Sequence, residues 1–121
     1  MSTESSTEPS TEPSIELIEQ ATLPSADFEG YLHGSTVSVM FERFDRDGVG
    51  PRLHRHPYTE TFILRSGRAL FRVGDDEVVA VGGQILVAPA GTPHKFTVIG
   101  PEVYEALHVH ANDRFVTEWL E

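Results

Sequence analysis

From residue 36 onward the chain alternates short apolar runs with turn-forming clusters. The runs are Thr36 to Phe44, Thr59 to Arg65, Arg68 to Val73, Glu77 to Val81, Gln84 to Ala88, His94 to Ile99 and Val103 to His110. Between them stand Asp47-Gly48, Ser66-Gly67, Gly74-Asp75-Asp76, Gly82-Gly83, Pro89-Ala90-Gly91 and Gly100-Pro101. Each run has the length and the β-branched or aromatic content of a strand, and no gap is long enough for a long helix. This punctuation predicts an all-β sandwich or barrel.

Several runs alternate with a period of two, which in a strand separates a buried face from a wet one. Val37, Val39 and Phe41 alternate with Ser38 and Glu42, and Ala69, Phe71 and Val73 alternate with Arg68 and Arg72. The apolar sets are expected to face inward. In the last long run, strict alternation makes Val103, Glu105, Leu107 and Val109 the inner set, because most of its members are apolar; His108 and His110 reach the interior only if that order is reversed. Asn112 through Glu121 are predicted to form a capped helical turn or two, with Asn112 or Asp113 as the cap. Phe115, Trp119 and Leu120 would then cover one end of the barrel, Trp119 as a packing plug.

Ahead of the strands, Ile15, Leu17 and Ile18 are expected to pack on the barrel as a short strand or a turn of helix. Residues 1 to 14 repeat Ser, Thr, Glu and Pro and lack the apolar surface that offsets the entropy of ordering, so they are expected to be a disordered tail. The remainder, 15 to 121, fits one domain and leaves no room for a second core.

Charge narrows the partners. The net charge is −10, of which residues 1 to 20 supply five acids and no base, leaving fourteen acids against nine bases elsewhere. An acidic surface of that kind repels phosphate backbones and anionic lipid, which argues against nucleic acid and membrane as partners. No apolar run approaches the ~20 residues of a membrane span, and the first residues lack the basic and apolar regions of a signal peptide. A cytoplasmic location is the resulting expectation. Cysteine is absent, so a metal site would have to use nitrogen and oxygen donors.

Those donors are present at telling positions. His54 and His56 are two apart, so in a strand they project to the same side, and Glu60 keeps that parity if no bulge intervenes. Two imidazoles and a carboxylate make a mixed shell suited to first-row divalent ions. His94 follows a Pro89-Ala90-Gly91 turn and opens another strand, from which it can complete the set. A lone histidine in a β protein is more often a hydrogen-bonded structural residue than a ligand, and His33 is read that way.

These residues resemble the two motifs of the cupin superfamily. The first, Gly, five residues, His-x-His, three or four residues, Glu, six residues, Gly, is met at Gly48, His54, His56, Glu60 and Gly67. The second, Gly, five residues, Pro-x-Gly, two residues, His, three residues, Asn, is met at Gly83, Pro89, Gly91 and His94, with Val98 in place of the final Asn. The resemblance spans about residues 36 to 111. It implies a cupin double-stranded β-helix, a jelly-roll-like barrel, with His54, His56, Glu60 and His94 as ligands of one divalent transition metal. Iron or manganese is expected first, with nickel, cobalt, copper or zinc as alternatives. It also implies a homodimer.

Four protein ligands on an ion that prefers six leave two positions for a small-molecule substrate or dioxygen. Parity places Phe62 and Phe96 in the same cavity, and Phe41 and Arg43 are further pocket candidates, Arg43 or Arg52 as an anchor for a carboxylate. Tyr58 and His110 are the candidates for proton transfer. Three functions stay open: an oxygenase acting on a small chelating substrate, a non-oxidative metal-dependent isomerase, lyase or cyclase, and a small-molecule-binding protein without turnover.

Overall fold

The computed structural model describes residues 15–121, and the tail expected at residues 1–14 lies outside them. Among the described residues, three short 3-10 turns (Gln20–Thr22, Pro24–Ala26 and Gly30–His33) precede nine strands. The strands are β1 (Ser38–Phe44), β2 (His54–Arg55), β3 (Glu60–Ser66), β4 (Arg68–Val73), β5 (Asp76–Val81), β6 (Ile85–Ala88), β7 (His94–Val98), β8 (Tyr104–His110) and β9 (Glu118–Trp119). They pair antiparallel in two sheets, ordered β1-β8-β3-β6 and β5-β4-β7-β2-β9. The inner faces enclose an apolar layer of Phe62, Leu64, Ala69, Phe71, Phe96, Val98, Tyr104 and Ala106. Phe71 stands 5.0 Å from Phe62 across the sandwich and 5.4 Å from Phe96 beside it, centroid to centroid, so aromatic contacts set the spacing of the sheets around it.

On β4 the expected alternation holds, with Ala69 and Phe71 buried and Arg68 and Arg72 exposed. On β1 and β8 it is inverted. Ser38 is 0% exposed while Phe41 is 36% exposed, and β8 buries Tyr104, Ala106, His108 and His110, leaving Glu105 outside. The reason lies in the register: Ser38 pairs with His110, His110 with Glu60 and Glu60 with Ala88, in one row across the sheet. This end of the barrel is lined by polar groups that satisfy one another, so apolarity no longer marks the inner face. The Ser38 hydroxyl accepts the Gly30 N–H at 2.9 Å. Phe28 exchanges both backbone hydrogen bonds with Val39 at 2.8 Å, which covers part of the edge of β1.

The C-terminal segment is extended rather than helical. Glu118 and Trp119 form β9 against β2, with His54 opposite Trp119 and Arg55 opposite Glu118. The Arg55 guanidinium donates to both Glu118 carboxylate oxygens at 2.8 and 3.2 Å. Pairing satisfies the backbone of the two-residue β2, which a C-terminal helix would leave unpartnered on that side. Trp119 is 52% exposed and so is no plug. Ile15 and Leu17 are 96% and 89% exposed and belong to neither strand nor helix, contrary to the packing expected of them.

Gly67 joins β3 to β4 at φ 72°, and a Cβ there would lie 2.5 Å from the Val103 carbonyl oxygen. Gly83 has φ 94° with open space around the same position. Both substitutions to Ala carry a left-handed backbone cost of about 1–3 kcal/mol, and only Gly67→Ala adds a backbone collision. Urea unfolding is expected to show Gly67→Ala as the more destabilised of the two; equal midpoints would mean that the Val103 contact relaxes freely.

Candidate metal centre

His54 sits on β2, and His56 follows it on the same face. Pro57 and Tyr58 then carry the chain across the barrel, so Glu60 opens β3 in the opposite sheet. The in-phase reading of Glu60 is therefore replaced by a crossover: the carboxylate approaches the imidazoles from the facing wall. His94, first residue of β7, is the direct cross-strand partner of His54.

The donor atoms converge. Glu60 Oε1 lies 3.0 Å from His56 Nε2 and 3.1 Å from His94 Nε2. One donor atom from each of His54, His56, Glu60 and His94 lies within 4.8 Å of the other three, and all four residues are buried. A metal bound at ~2.1 Å holds adjacent donors roughly 3.0 Å apart and opposite donors roughly 4.2 Å apart, which matches this cluster.

Backbone carbonyls decide which nitrogen of each imidazole faces the centre. His54 Nδ1 lies 2.7 Å from the Arg52 oxygen, His56 Nδ1 2.8 Å from the Val116 oxygen and His94 Nδ1 3.0 Å from the Thr92 oxygen. A carbonyl only accepts, so each Nδ1 carries hydrogen and each Nε2 turns a lone pair inward. Three lone pairs and a carboxylate then face one another, an arrangement that is stable only with a cation among them, either a proton or a metal ion. His56 Nε2 is buried without a directed hydrogen bond, as a ligand atom would be. Burial alone would raise the Glu60 pKa, but contacts with His110, His56 and His94 outweigh it and hold Glu60 far below the usual carboxylate range. Burial lowers the His54 pKa, favouring the neutral, ligating form.

A cavity of about 220 Å³ opens on this cluster. Phe62 and Phe96 line it, as parity predicts, and His110 lines it because β8 turns the opposite face inward. Tyr58 is buried outside the cavity lining, with its hydroxyl 2.6 Å from His110 Nδ1 and its ring stacked on His56 at 5.0 Å. Phe41 and Arg43 are not in this cavity; they flank an outer groove with Arg65 and Glu105, and Arg43 Nε is 3.8 Å from Glu105 Oε2. The parity of β1 puts their neighbours Met40 and Glu42 inside instead. Trp119 stands at the rim, 5.1 Å from the His54 ring, with the Arg52 guanidinium 4.9 Å from its own ring centroid. Arg52 is thus held at the rim by stacking. His33 is remote, 2.7 Å from Glu16 Oε2 and stacked on Phe28. Sequence reasoning missed Glu42 and admitted His108 only with the order of β8 reversed, because on each strand the competing face is the more apolar one.

The cupin domain family profile matches residues 40–110, a span that holds all four donors. The chain belongs to the cupin family. Among solved structures, a conserved protein with a double-stranded β-helix domain from Klebsiella pneumoniae superposes with a TM-score of 0.63 at 24% identity, over 71% of this cupin and 76% of its own chain. Oxalate decarboxylase from Bacillus subtilis gives 0.63 at 22% identity, over 70% of this cupin and 24% of that chain. Likeness at this level of identity establishes a shared fold alone. A glutamyl-tRNA(Gln) amidotransferase subunit from Jannaschia sp. is 30% identical over 94 residues, covering 68% of this cupin, which spans only 19% of that protein. Among the described residues, no helix is long and apolar enough to cross a membrane.

Two measurements follow from this geometry. Titrating chelator-treated cupin with Mn, Fe(II), Co or Zn to a hundredfold excess over the dissociation constant adds about 2.7 kcal/mol of stability, which in a domain this size raises Tm by at least ~5 °C. His94→Ala and Glu60→Ala are expected to abolish the shift; its survival in Glu60→Ala would place the ion elsewhere. The second concerns Glu42, whose pKa is raised from 4.5 to about 7 by burial first and then by the charges of Asp27 and Glu60. The folded, metal-free chain therefore keeps a proton that the unfolded chain releases above pH 4.5, and the stability it confers is lost as pH rises through 7. Glu42→Gln is expected to stabilise the metal-free protein at pH 8 by on the order of 1–2 kcal/mol, allowing for solvent screening, and to leave stability at pH 4.5 unchanged; equal gains at both would refute a buried proton at Glu42.

Proposed function

We propose that this cupin is a mononuclear metal-dependent enzyme that oxidises a small chelating organic substrate with dioxygen. The observation that carries this reading is the four-donor cluster opening onto an apolar-walled cavity. Three imidazoles and one carboxylate leave two coordination positions open on an ion that prefers six, an opening that a purely structural site lacks. When bound, the metal would supply a Lewis-acid and redox-active centre at which a chelate and dioxygen meet.

The chain's own residues supply the rest. Glu60 offsets part of the charge, and the three carbonyl-anchored imidazoles keep their lone pairs aimed at one point. Phe62 and Phe96 exclude water from the reacting end of the cavity. At about 220 Å³ the cavity falls below the roughly 300–1,000 Å³ of pockets that take drug-sized ligands, which favours a compact enol, diketone, hydroxy acid or phenol. Among the structures with this fold, the Bacillus subtilis oxalate decarboxylase has Mn(II) centres, which supports manganese as a metal to test first.

One observation favours a second reading, the non-oxidative isomerase, lyase or cyclase. Glu42 lines the cavity, and burial raises the pKa of its carboxyl group in the metal-free chain to about 7, the direction that a general base needs. An oxygen electrode separates the two. With Mn or Fe(II) loaded and oxalate, diketones, catechols and hydroxy acids offered in turn, oxygen uptake dependent on substrate is expected, falling at least a hundredfold in His94→Ala and absent with Zn. Turnover under argon that zinc also supports would instead establish the non-oxidative reading.

A further inference from the structure

Five histidines line the cavity, and the hydrogen bonds set His110 apart from the three ligand histidines. The three ligand histidines each present Nδ1 to a backbone carbonyl. His110 presents its Nδ1 to the Tyr58 hydroxyl instead, at 2.6 Å. That hydroxyl also accepts the Val116 N–H at 3.2 Å. A backbone N–H only donates, so the phenol oxygen is its acceptor, and the phenol's own hydrogen has His110 Nδ1 as its partner. With Nδ1 accepting, the imidazole of His110 carries its hydrogen on Nε2, the reverse of the three ligands.

His110 Nε2 is in a buried side chain, 1% exposed, and has no directed hydrogen bond. It lies 3.2 Å from Glu60 Oε2, the oxygen turned away from His56 and His94. His108 Nδ1 is farther from the same oxygen, at 3.8 Å, and its Nε2 is 2.8 Å from the Tyr104 hydroxyl. His110 lines the cavity yet falls outside the cluster of four mutually close donors. Its position and its N–H both argue against a fifth ligand.

We infer that His110 is a hydrogen-bond donor to an oxygen ligand at the metal centre, held in its Nε2–H form by the Tyr58 hydroxyl and the Val116 N–H. The inference rests on the proposal that the four-donor cluster holds a metal, and it narrows the ligand to one presenting an anionic or strongly accepting oxygen, such as a carboxylate or an enolate. One residue, through its two peptide groups, serves both kinds of histidine. The Val116 carbonyl makes His56 a ligand, and its N–H, through Tyr58, makes His110 a donor.

The test uses the full chain loaded with zinc, with oxalate as the oxygen-donor probe. Nitrogen-15 NMR of the histidine side chains is expected to show hydrogen on Nε2 of His110 and on Nδ1 of His54, His56 and His94. By calorimetry, His110→Ala is expected to weaken oxalate binding at least tenfold while zinc affinity stays within threefold. His110→Gln, whose amide N–H reaches toward the place of Nε2, is expected to recover most of the loss. Tyr58→Phe should weaken oxalate by a smaller factor and leave the His110 hydrogen divided between its two nitrogens. Zinc bound with His110 carrying hydrogen on Nδ1, or oxalate affinity indifferent to His110→Gln and His110→Ala alike, would overturn the inference and leave the metal reading standing. Failure of the unmodified chain to bind zinc would overturn both, and the NMR spectrum of the wild type decides the tautomer even if His110→Ala does not fold.

Discussion

The buried carboxylate of Glu60 is the point on which the architecture turns. One of its oxygens lies within 3.1 Å of His56 and His94, and the other within 3.2 Å of His110. A charge in that position is costly unless every side of it is matched. The barrel supplies the match by bringing β3 from one sheet against β2 and β7 from the other. The separation of the walls is set by the aromatic layer of Phe62, Phe71 and Phe96 directly beneath the donors. Core packing and metal geometry are thus one mechanical problem: a looser layer would let the carboxylate and the imidazoles drift out of range of a common ion.

The polar end of the barrel is organised in shells. Carbonyl oxygens of Arg52, Thr92 and Val116 orient three rings, and Tyr104 and Tyr58 occupy one nitrogen each of His108 and His110. The Val116 backbone, in the C-terminal segment, holds His56 directly through its carbonyl and His110 through Tyr58 by its N–H, although a sequence reading assigns that segment to a cover over the barrel end. In the folded chain it is a working wall of the site, tied to β2 by the Arg55–Glu118 pair and by the Leu120 N–H to Leu53 oxygen bond. Loss of that strap would release the tautomers of His56 and His110 together, so the segment connects the stability of the edge of the sheet with the chemistry of the cavity.

The four donors and the all-β class were legible because both depend on spacing along the chain. His54 and His56 share a face through strand geometry, and Gly67, Gly83 and Gly91 sit at turns with positive φ. Phe62 and Phe96 were legible from the parity of their own strands. Phe41 and Arg43 were misplaced, and Met40 and Glu42 overlooked, for one reason. Alternation reports which face is apolar, and on β1 and β8, whose inner faces carry Glu42, His108 and His110, the more apolar face is the outer one. The same inversion turned His108 and His110 inward, the orientation that strict alternation argued against.

Taken alone, the amino-acid sequence determined the fold class, the order of strands β1 and β3 to β8 along the chain and the chemical identity of the donor set, since these follow from covalent spacing and turn chemistry. Only the tertiary structure decided which wall each donor stands on, which face of β1 and β8 looks inward, and which ring nitrogen carries hydrogen. Those outcomes hang on partners such as Val116, which is 60 residues from His56 and 58 from Tyr58. A hydrogen bond over that separation exists only once the chain has closed, and no local pattern encodes its direction.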